Sequence, residues 1–481
     1  MLTLTLILLP LVAALVLLAL DGGTVKRVAL IAALVELGLA AYVFSQFMPD
    51  ASSQFALSFP WIKSAGIEFS IGIDGISLLL VLLSTLLVPL IILSTFNHSY
   101  RHPSSFYALI LAMQAALIGV FVAKDVFLFY FFFEMALIPI YFIAAGWGGE
   151  NRIPVTFKFF IYTIFGSLFM LLSLVYLYLQ TPGTHSSLIS SFYQLHLTAE
   201  QQSWLFWGLF IGFAIKMPLF PFHTWQPDTY VESPTPATML LAGIMLKMGT
   251  YGLIRLVLPI VPVGVHHWGL VAAALSVIGI VYGSIIAIQQ RDMKRLVAYS
   301  SFAHVGLMAA GIFSLSIDGL QGSLIQMLAH GINVVGLFFI IEIIFSRTQS
   351  RDLDRLGGIT QNTPFLSVLF IIIVLGSVAL PLTNGFVGEF LLLRGVFDYN
   401  TWLGIIAGTT IIFGAVYMLR MVQKSMFGPK TSLTEQFTDL NTNELLVLIP
   451  LAIFVIGMGI FPNVFLKLTE PAVEELLRTI K

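Results

Sequence analysis

Residues 211–225 read IGFAIKMPLFPFHTW. Lys216 closes an apolar run, and Pro218 and Pro221 follow within five residues. Proline lacks a backbone donor and breaks a helix. Unpaired backbone at membrane depth is tolerated only where protein or a water cavity satisfies it. A broken helix with a charge at the break is a mark of ion-translocating proteins. An ordinary proline kink beside a snorkelling lysine is the plainer alternative, but Lys216 lies far from the end of its span for that. Residues 380–389, LPLTNGFVGE, repeat the theme. There Pro381, Asn384, Gly385 and Gly388 interrupt an apolar run just before Glu389.

Working outward, the chain is built of such runs. Of 481 residues, 58% are hydrophobic and 10% charged, with a net charge of −1. A soluble protein of this size needs roughly a quarter of its residues charged. The composition excludes a soluble enzyme, a nucleic-acid binder and a disordered scaffold. Cysteine is absent, which excludes disulfides, thiolate metal sites and sulfur-ligated electron centres in this chain.

Runs long enough to cross a bilayer number 14, near 2–20, 26–48, 76–96, 106–123, 125–147, 157–179, 204–221, 236–257, 268–288, 295–314, 320–345, 364–397, 402–426 and 444–466. The fold class is therefore an all-α integral membrane protein, with its seventh and twelfth helices broken. Alternating the loops puts 14 of the 23 Lys and Arg residues on one face and seven on the other, Lys481 among the seven. By the positive-inside rule both termini lie outside. Residues 49–75 alternate like strands, as in a small outer hairpin. Spans four to eight and nine to thirteen are each five long, so the second set would be inverted relative to the first. Glu134 to Lys216 is 82 residues, and His304 to Glu389 is 85. This divides the chain into 1–105, a first repeat 106–257, an inverted repeat 268–426, and 444–481.

Glu36, Glu134, Lys216, Lys247 and Glu389 lie deep in these spans. Each costs roughly 2.5–3.5 kcal/mol to insert, which makes such residues functional candidates by default. Glu36 is the exception, because no neighbouring span mirrors it. Glu134, Lys247, His304 and His330 all lie ten to twelve residues into their spans. At 1.5 Å per residue that is about 15 Å, half of a ~30 Å core. A row of titratable groups at one depth is what a lateral proton path requires. The inner loop from His223 to Pro236 is polar and stiff. His223 and Asp228 could form an inner gate or admit protons there, or the loop could be a rigid connector. His266 and His267 have no acid nearby and no metal-binding motif is present, so no metal site is expected.

Five stretches carry a family resemblance: FFFEMALIPIYFIAAGWGG (131–149), FAIKMPLFPFHTWQPDTYVESPTPATMLLAGIMLKMGTYGLIR (213–255), DMKRLVAYSSFAHVGLM (292–308), GSLIQMLAHGINVVGLFFI (322–340) and LTNGFVGEFLLL (382–393). They resemble the antiporter-like membrane subunits of respiratory complex I, the proton-pumping NADH:quinone oxidoreductase. Within that family the chain most resembles the subunit M type, mitochondrial chain 4, because Glu389 stands where the L and N types carry lysine. The resemblance implies that Glu134 and Lys216 are the paired glutamate and lysine of a first half-channel. Lys247 would be the central lysine, His304 and His330 the central relay, and Glu389 the terminal proton site. Leu382 departs from the family, which usually has glycine there, and this bears on how the twelfth helix unwinds.

The resemblance further implies a proton-translocating subunit without cofactors of its own, since flavin and iron–sulfur clusters belong to partner chains. Its partners would be L-type and N-type membrane subunits, the lateral helix of the L type, and lipids. NADH and quinone would be reached only through the whole complex, and nucleic acid not at all. The location would be a bacterial plasma membrane. Rival readings are the D-type subunit of a multi-subunit cation/proton antiporter, the equivalent subunit of a membrane hydrogenase or photosynthetic complex, and a structural spacer. A spacer would have no use for the buried charges.

Overall fold

In hydrocarbon every backbone polar group must be satisfied within the chain, and helices do this locally. The computed structural model describes residues 1–183 and 185–480, so Lys481 lies outside the described residues. The helices are α1 (Leu2–Leu18), α2 (Thr24–Gln46), α3 (Gly75–Ser94), α4 (Pro103–Val122), α5 (Val126–Trp147), α6 (Arg152–Gln180), α7 (Ala199–Lys216), α8 (Gln226–Glu232), α9 (Thr235–Ile260), α10 (Pro262–Gln289), α11 (Met293–Phe313), α12 (Ile317–Thr348), α13 (Pro364–Ser377), α14 (Asn384–Tyr399), α15 (Thr401–Met426), α16 (Thr442–Ile460) and α17 (Asn463–Ile480). Among the described residues, eleven helices are long and apolar enough to cross a membrane; α1 and α13 are apolar but shorter.

Burial sorts these helices into layers. The most apolar stretches of α9 and α11 are 94% buried, while that of α2 is only 28% buried. Large apolar side chains such as Phe157, Phe165 and Leu172 on α6 point outward, as a lipid-facing helix requires. Strands β1 (Gln54–Ile62) and β2 (Ile67–Ile73) pair antiparallel as the expected hairpin, with Leu57 opposite Ile71 and Phe59 opposite Phe69. The amphipathic α17 was not foreseen: its spacing of Leu468, Ala472, Val473, Leu476 and Ile480 buries one face against α3 and α12.

Both expected breaks are present. Helix α7 ends at Lys216, and Met217–Trp225 leave helical geometry. The indole of Trp225 donates to the Ile215 carbonyl at 2.9 Å, so a side chain satisfies a carbonyl that the broken helix orphans. Between α13 and α14 the chain unwinds over Val378–Thr383. Pro381 lies in this gap, and Ala379 and Leu382 take left-handed φ of 56° and 73°. The departure from glycine at Leu382 therefore does not prevent the break. Gly385 needs correction as a breaker, because it lies in the first turn of α14. A Cβ there would meet the Gly376 carbonyl at 2.1 Å, so the glycine permits the two half-helices to touch.

Helix α9 carries an irregularity that pattern reading missed. Leu241–Met245 form a wide π-type turn just before Lys247, a feature frequent at functional sites.

Candidate functional site

The site is assembled by close helix contact. A Cβ at Gly243 would meet Val335 Cγ2 at 2.7 Å, and one at Gly331 would meet the Gly243 carbonyl at 2.8 Å. Small residues thus let α9 and α12 approach, which brings Lys247 to His330. Lys247 Nζ lies 2.9 Å from His330 Nδ1 and donates to the Ala242 carbonyl at 2.6 Å. That carbonyl belongs to the wide turn, so the irregularity in α9 is what offers the amine an acceptor.

The far ring nitrogen, His330 Nε2, lies 3.0 Å from Ser301 Oγ on α11. The rings of His330 and His304 are 5.9 Å apart between centroids. His304 Nδ1 stands 3.1 Å from Glu389 Oε1, close enough for an ion pair when the ring is protonated but without hydrogen-bond alignment. Gln326 Nε2 donates to the same oxygen at 3.4 Å. Between the two rings lies a small cavity bounded by Ser300, Ser301, His304, Gln326, His330 and Asn333, with about 10 Å³ open to a water's centre. That is room for about one water. Four of the six expected proton-transfer residues therefore form one buried line, Lys247–His330–His304–Glu389. Each neighbour is in contact or one water away, and each side chain is at most 7% exposed.

The other two form a separate cluster. Lys216 is 3% exposed, and its ammonium lies 4.7 Å from the Phe133 ring centroid, a cation–π contact. Glu134 follows Phe133 on α5 and is partly exposed. Among the described residues no ion pair within 4.0 Å joins Glu134 to Lys216, so the expected pair is near but not closed. No hydrogen bond among the described residues links Lys216 to Lys247, although α7 reaches α9 where Gly249 abuts Met217. Glu36 is fully buried and both its carboxyl oxygens lack partners; it stands apart from the line.

His223 and Asp228 are not brought together. His223 is buried and stacked on Phe302, with ring centroids 4.5 Å apart. Asp228 is tied to Arg295 at 3.0 Å and Lys158 at 3.3 Å. No group of three or more potential metal ligands occurs among the described residues.

Several site residues escaped sequence reading. Gln326 and Asn333 flank the expected His330 on α12 at spacings of four and three, so the three share one helical face. Ser300 and Ser301 stand in the same relation to His304. This polar stripe was the available signal. At the hairpin end, Arg255 Nη2 and Lys124 Nζ both bond Asp74 Oδ2, at 2.6 and 2.8 Å. Burial alone would raise the Asp74 carboxyl, but these two cations hold it well below the usual carboxylate range. Burial lowers the Lys124 amine.

This geometry defines a class: a multi-pass membrane protein with a buried row of titratable groups. The comparisons narrow it. Residues 123–414 match the family described as "NADH:quinone oxidoreductase/Mrp antiporter, TM", and residues 28–122 match "NADH-ubiquinone oxidoreductase chain 4, amino terminus". A NADH-quinone oxidoreductase subunit M from Rickettsia typhi is 39% identical over 464 residues, covering 94% of this chain and 92% of that protein. A chain of respiratory complex I from Thermus thermophilus with bound NADH superposes with a TM-score of 0.93 at 30% identity, over 100% of both chains. A chain of the Mrp complex from Dietzia sp. gives a TM-score of 0.85 at 20% identity and is covered over 52% of its length, which shows shared fold alone. The chain belongs to the family of NADH-quinone oxidoreductase subunit M and chain 4.

Proposed function

We propose that the chain is the proton-translocating membrane-arm subunit of NADH:quinone oxidoreductase, and that protons move through it along Lys247, His330, His304 and Glu389. The observation that carries this is the continuity of that line inside an otherwise apolar body. The amine, the two imidazoles and the carboxyl of this line can each accept and release a proton. Glu134 and Lys216 form the loading pair. When they close on each other the proton stays; when they separate it passes towards Lys247 through water between α7 and α9. Glu389 holds the proton before release.

The eleven long helices, α1, the broken α7–α8 and the broken α13–α14 make fourteen crossings. Helices α4 to α9 and α10 to α15 form two inverted five-span repeats, 106–257 and 268–426, flanked by 1–105 and 444–481. The bias of Lys and Arg places both termini outside and the α8 side inside. L-type and N-type subunits flank the chain, with the lateral helix of the L type and lipids alongside. Partner chains carry the flavin and iron–sulfur clusters, and NADH and quinone react there. The membrane is a bacterial plasma membrane. The match of residues 28–122 to the chain 4 amino terminus favours this over the antiporter reading, as does Glu389 in place of lysine.

In sealed vesicles of the assembled complex, Glu134→Ala or Lys216→Ala should abolish proton uptake coupled to NADH oxidation while assembly stays intact. Undiminished pumping in well-assembled variants would defeat the assignment.

A further inference from the structure

On the hairpin side of the molecule a pocket of about 440 Å³ lies between the start of β1, the end of β2, residues 188–193 and the last turns of α9. Asp74, Lys124 and Arg255 meet at its wall. Lys124 and Arg255 both bond the same oxygen, Asp74 Oδ2, so one negative charge serves two positive ones. The charged groups that face Lys124 are Asp74 and Arg255, and the carboxylate that faces Arg255 is Asp74 again. The cluster therefore carries one uncompensated positive charge. Its side chains are largely withdrawn from water, with 6% of Asp74, 14% of Arg255 and 20% of Lys124 exposed. Such a charge is costly unless something pairs with it.

The side chains around the pocket offer mainly donors. Among the described residues, Lys124 Nζ makes one hydrogen bond, to Asp74. Arg255 spends Nη2 on Asp74 and Nε on the Tyr251 hydroxyl at 3.3 Å, and its Nη1 is left open. The hydroxyls of Ser53, Ser70 and Ser190 border the same space and make no hydrogen bond among the described residues. Ser53 and Lys124 are close together: a Cβ at Gly72 would collide with the Ser53 hydroxyl and touch Lys124 Cε at 3.5 Å. The one carboxylate present is already saturated. Asp74 Oδ1 accepts the amides of Ile76 and Ser77, and Oδ2 takes both cations. An ammonium, a guanidinium edge and three hydroxyls, with a spare positive charge, match a tetrahedral oxyanion.

We infer that this pocket binds a phosphate group, carried by free phosphate or by a phospholipid headgroup, with Lys124 Nζ and Arg255 Nη1 as its main donors and the serine hydroxyls around them. The inference goes beyond the proton-translocating reading and does not rest on it, since none of these residues belongs to the line from Lys247 to Glu389. A bound phosphate neutralises the spare charge. It also ties the hairpin, through Ser53 and Ser70, to the 188–193 segment and to α9.

The test uses the assembled complex, purified in detergent, as wild type and as Lys124→Met and Ser190→Asp. Ser190 is exposed, so the second change keeps the ion cluster and only adds a negative charge at the pocket. Binding of radiolabelled inorganic phosphate is measured by equilibrium dialysis at constant ionic strength, before and after lipid is stripped with detergent. Phospholipid retained per complex is counted by mass spectrometry. If free phosphate is the ligand, wild type binds one equivalent before stripping that both variants bind at least about tenfold more weakly, the loss of one charge-assisted contact. If a headgroup is the ligand, wild type retains one more phospholipid than either variant and binds the extra phosphate only after stripping. In either case phosphate in place of chloride should raise the thermal unfolding midpoint of the stripped wild-type complex more than that of either variant. Equal phosphate binding and equal phospholipid content in wild type and both variants would overturn the inference. Should Lys124→Met fail to assemble, Ser190→Asp decides alone, and its wild-type phosphate and phospholipid values would equally overturn it.

Discussion

Asp74 shows how one residue can hold a distant ion cluster that spacing does not reveal. Its carboxylate caps α3, accepting from the amides of Ile76 and Ser77 at 3.2 and 3.0 Å, and it also takes both Arg255 and Lys124. Arg255 is 181 positions away, so nothing local in the chain announces the contact. The buried Lys and Glu residues were legible because hydrocarbon makes any charge conspicuous. Asp74 sits between a hairpin and a helix, where acids are common as caps. Its pKa is lower when folded than the ~3.9 of a free aspartate. The stability it contributes is therefore complete above about pH 4 and is lost as pH falls through the lower folded value. Asp74→Asn should remove this dependence. Thermal unfolding of the purified complex should show wild type losing stability in the acid range while the variant, weaker at neutral pH, changes less. Parallel acid curves for the two would contradict the role given to Asp74.

Elements were legible where composition alone decides them and less so where the backbone departs from regularity. The two breaks followed from Pro218 and Pro381, and the hairpin from strict alternation. The wide turn before Lys247 has no proline or residue-type signal; it arises where α9 meets α12 at Gly243 and Gly331. Similarly, the break between α13 and α14 is shaped by Ala379 and Leu382 in left-handed geometry, and not by Gly385. A left-handed non-glycine residue costs roughly 1–2 kcal/mol, against about 0.5–1 kcal/mol for the extra freedom of glycine. Leu382 is 70% exposed, so its side chain supports little packing. Leu382→Gly should leave the protein as stable or up to about 1 kcal/mol more stable. Leu382→Val, with a branched Cβ in the same geometry, should be destabilising. Denaturation midpoints of the two variants check this, and the reverse order would show that the strain lies elsewhere.

At the scale of the whole molecule, the titratable groups divide into a cluster at Glu134 and Lys216 and a central line from Lys247 to Glu389. A common depth for Glu134, Lys247, His304 and His330 was the expectation from position within each span, because α-helical rise converts residue count into distance. Which of them touch was not readable, since contact depends on how close α9, α11, α12 and α14 pack. The separation matters for function. In the proposed pathway, the gap between Lys216 and Lys247 would be the point that opens and shuts. Lys247 is the first group beyond that gap, and among the described residues its amine is held only by Ala242 and His330. Replacing it by methionine keeps the volume and removes the proton carrier. The measurement that tests this most directly is proton uptake per NADH oxidised by the Lys247→Met complex in sealed vesicles, beside its ferricyanide reduction. A strongly reduced proton yield with ferricyanide reduction preserved is the predicted result. A wild-type yield would contradict it.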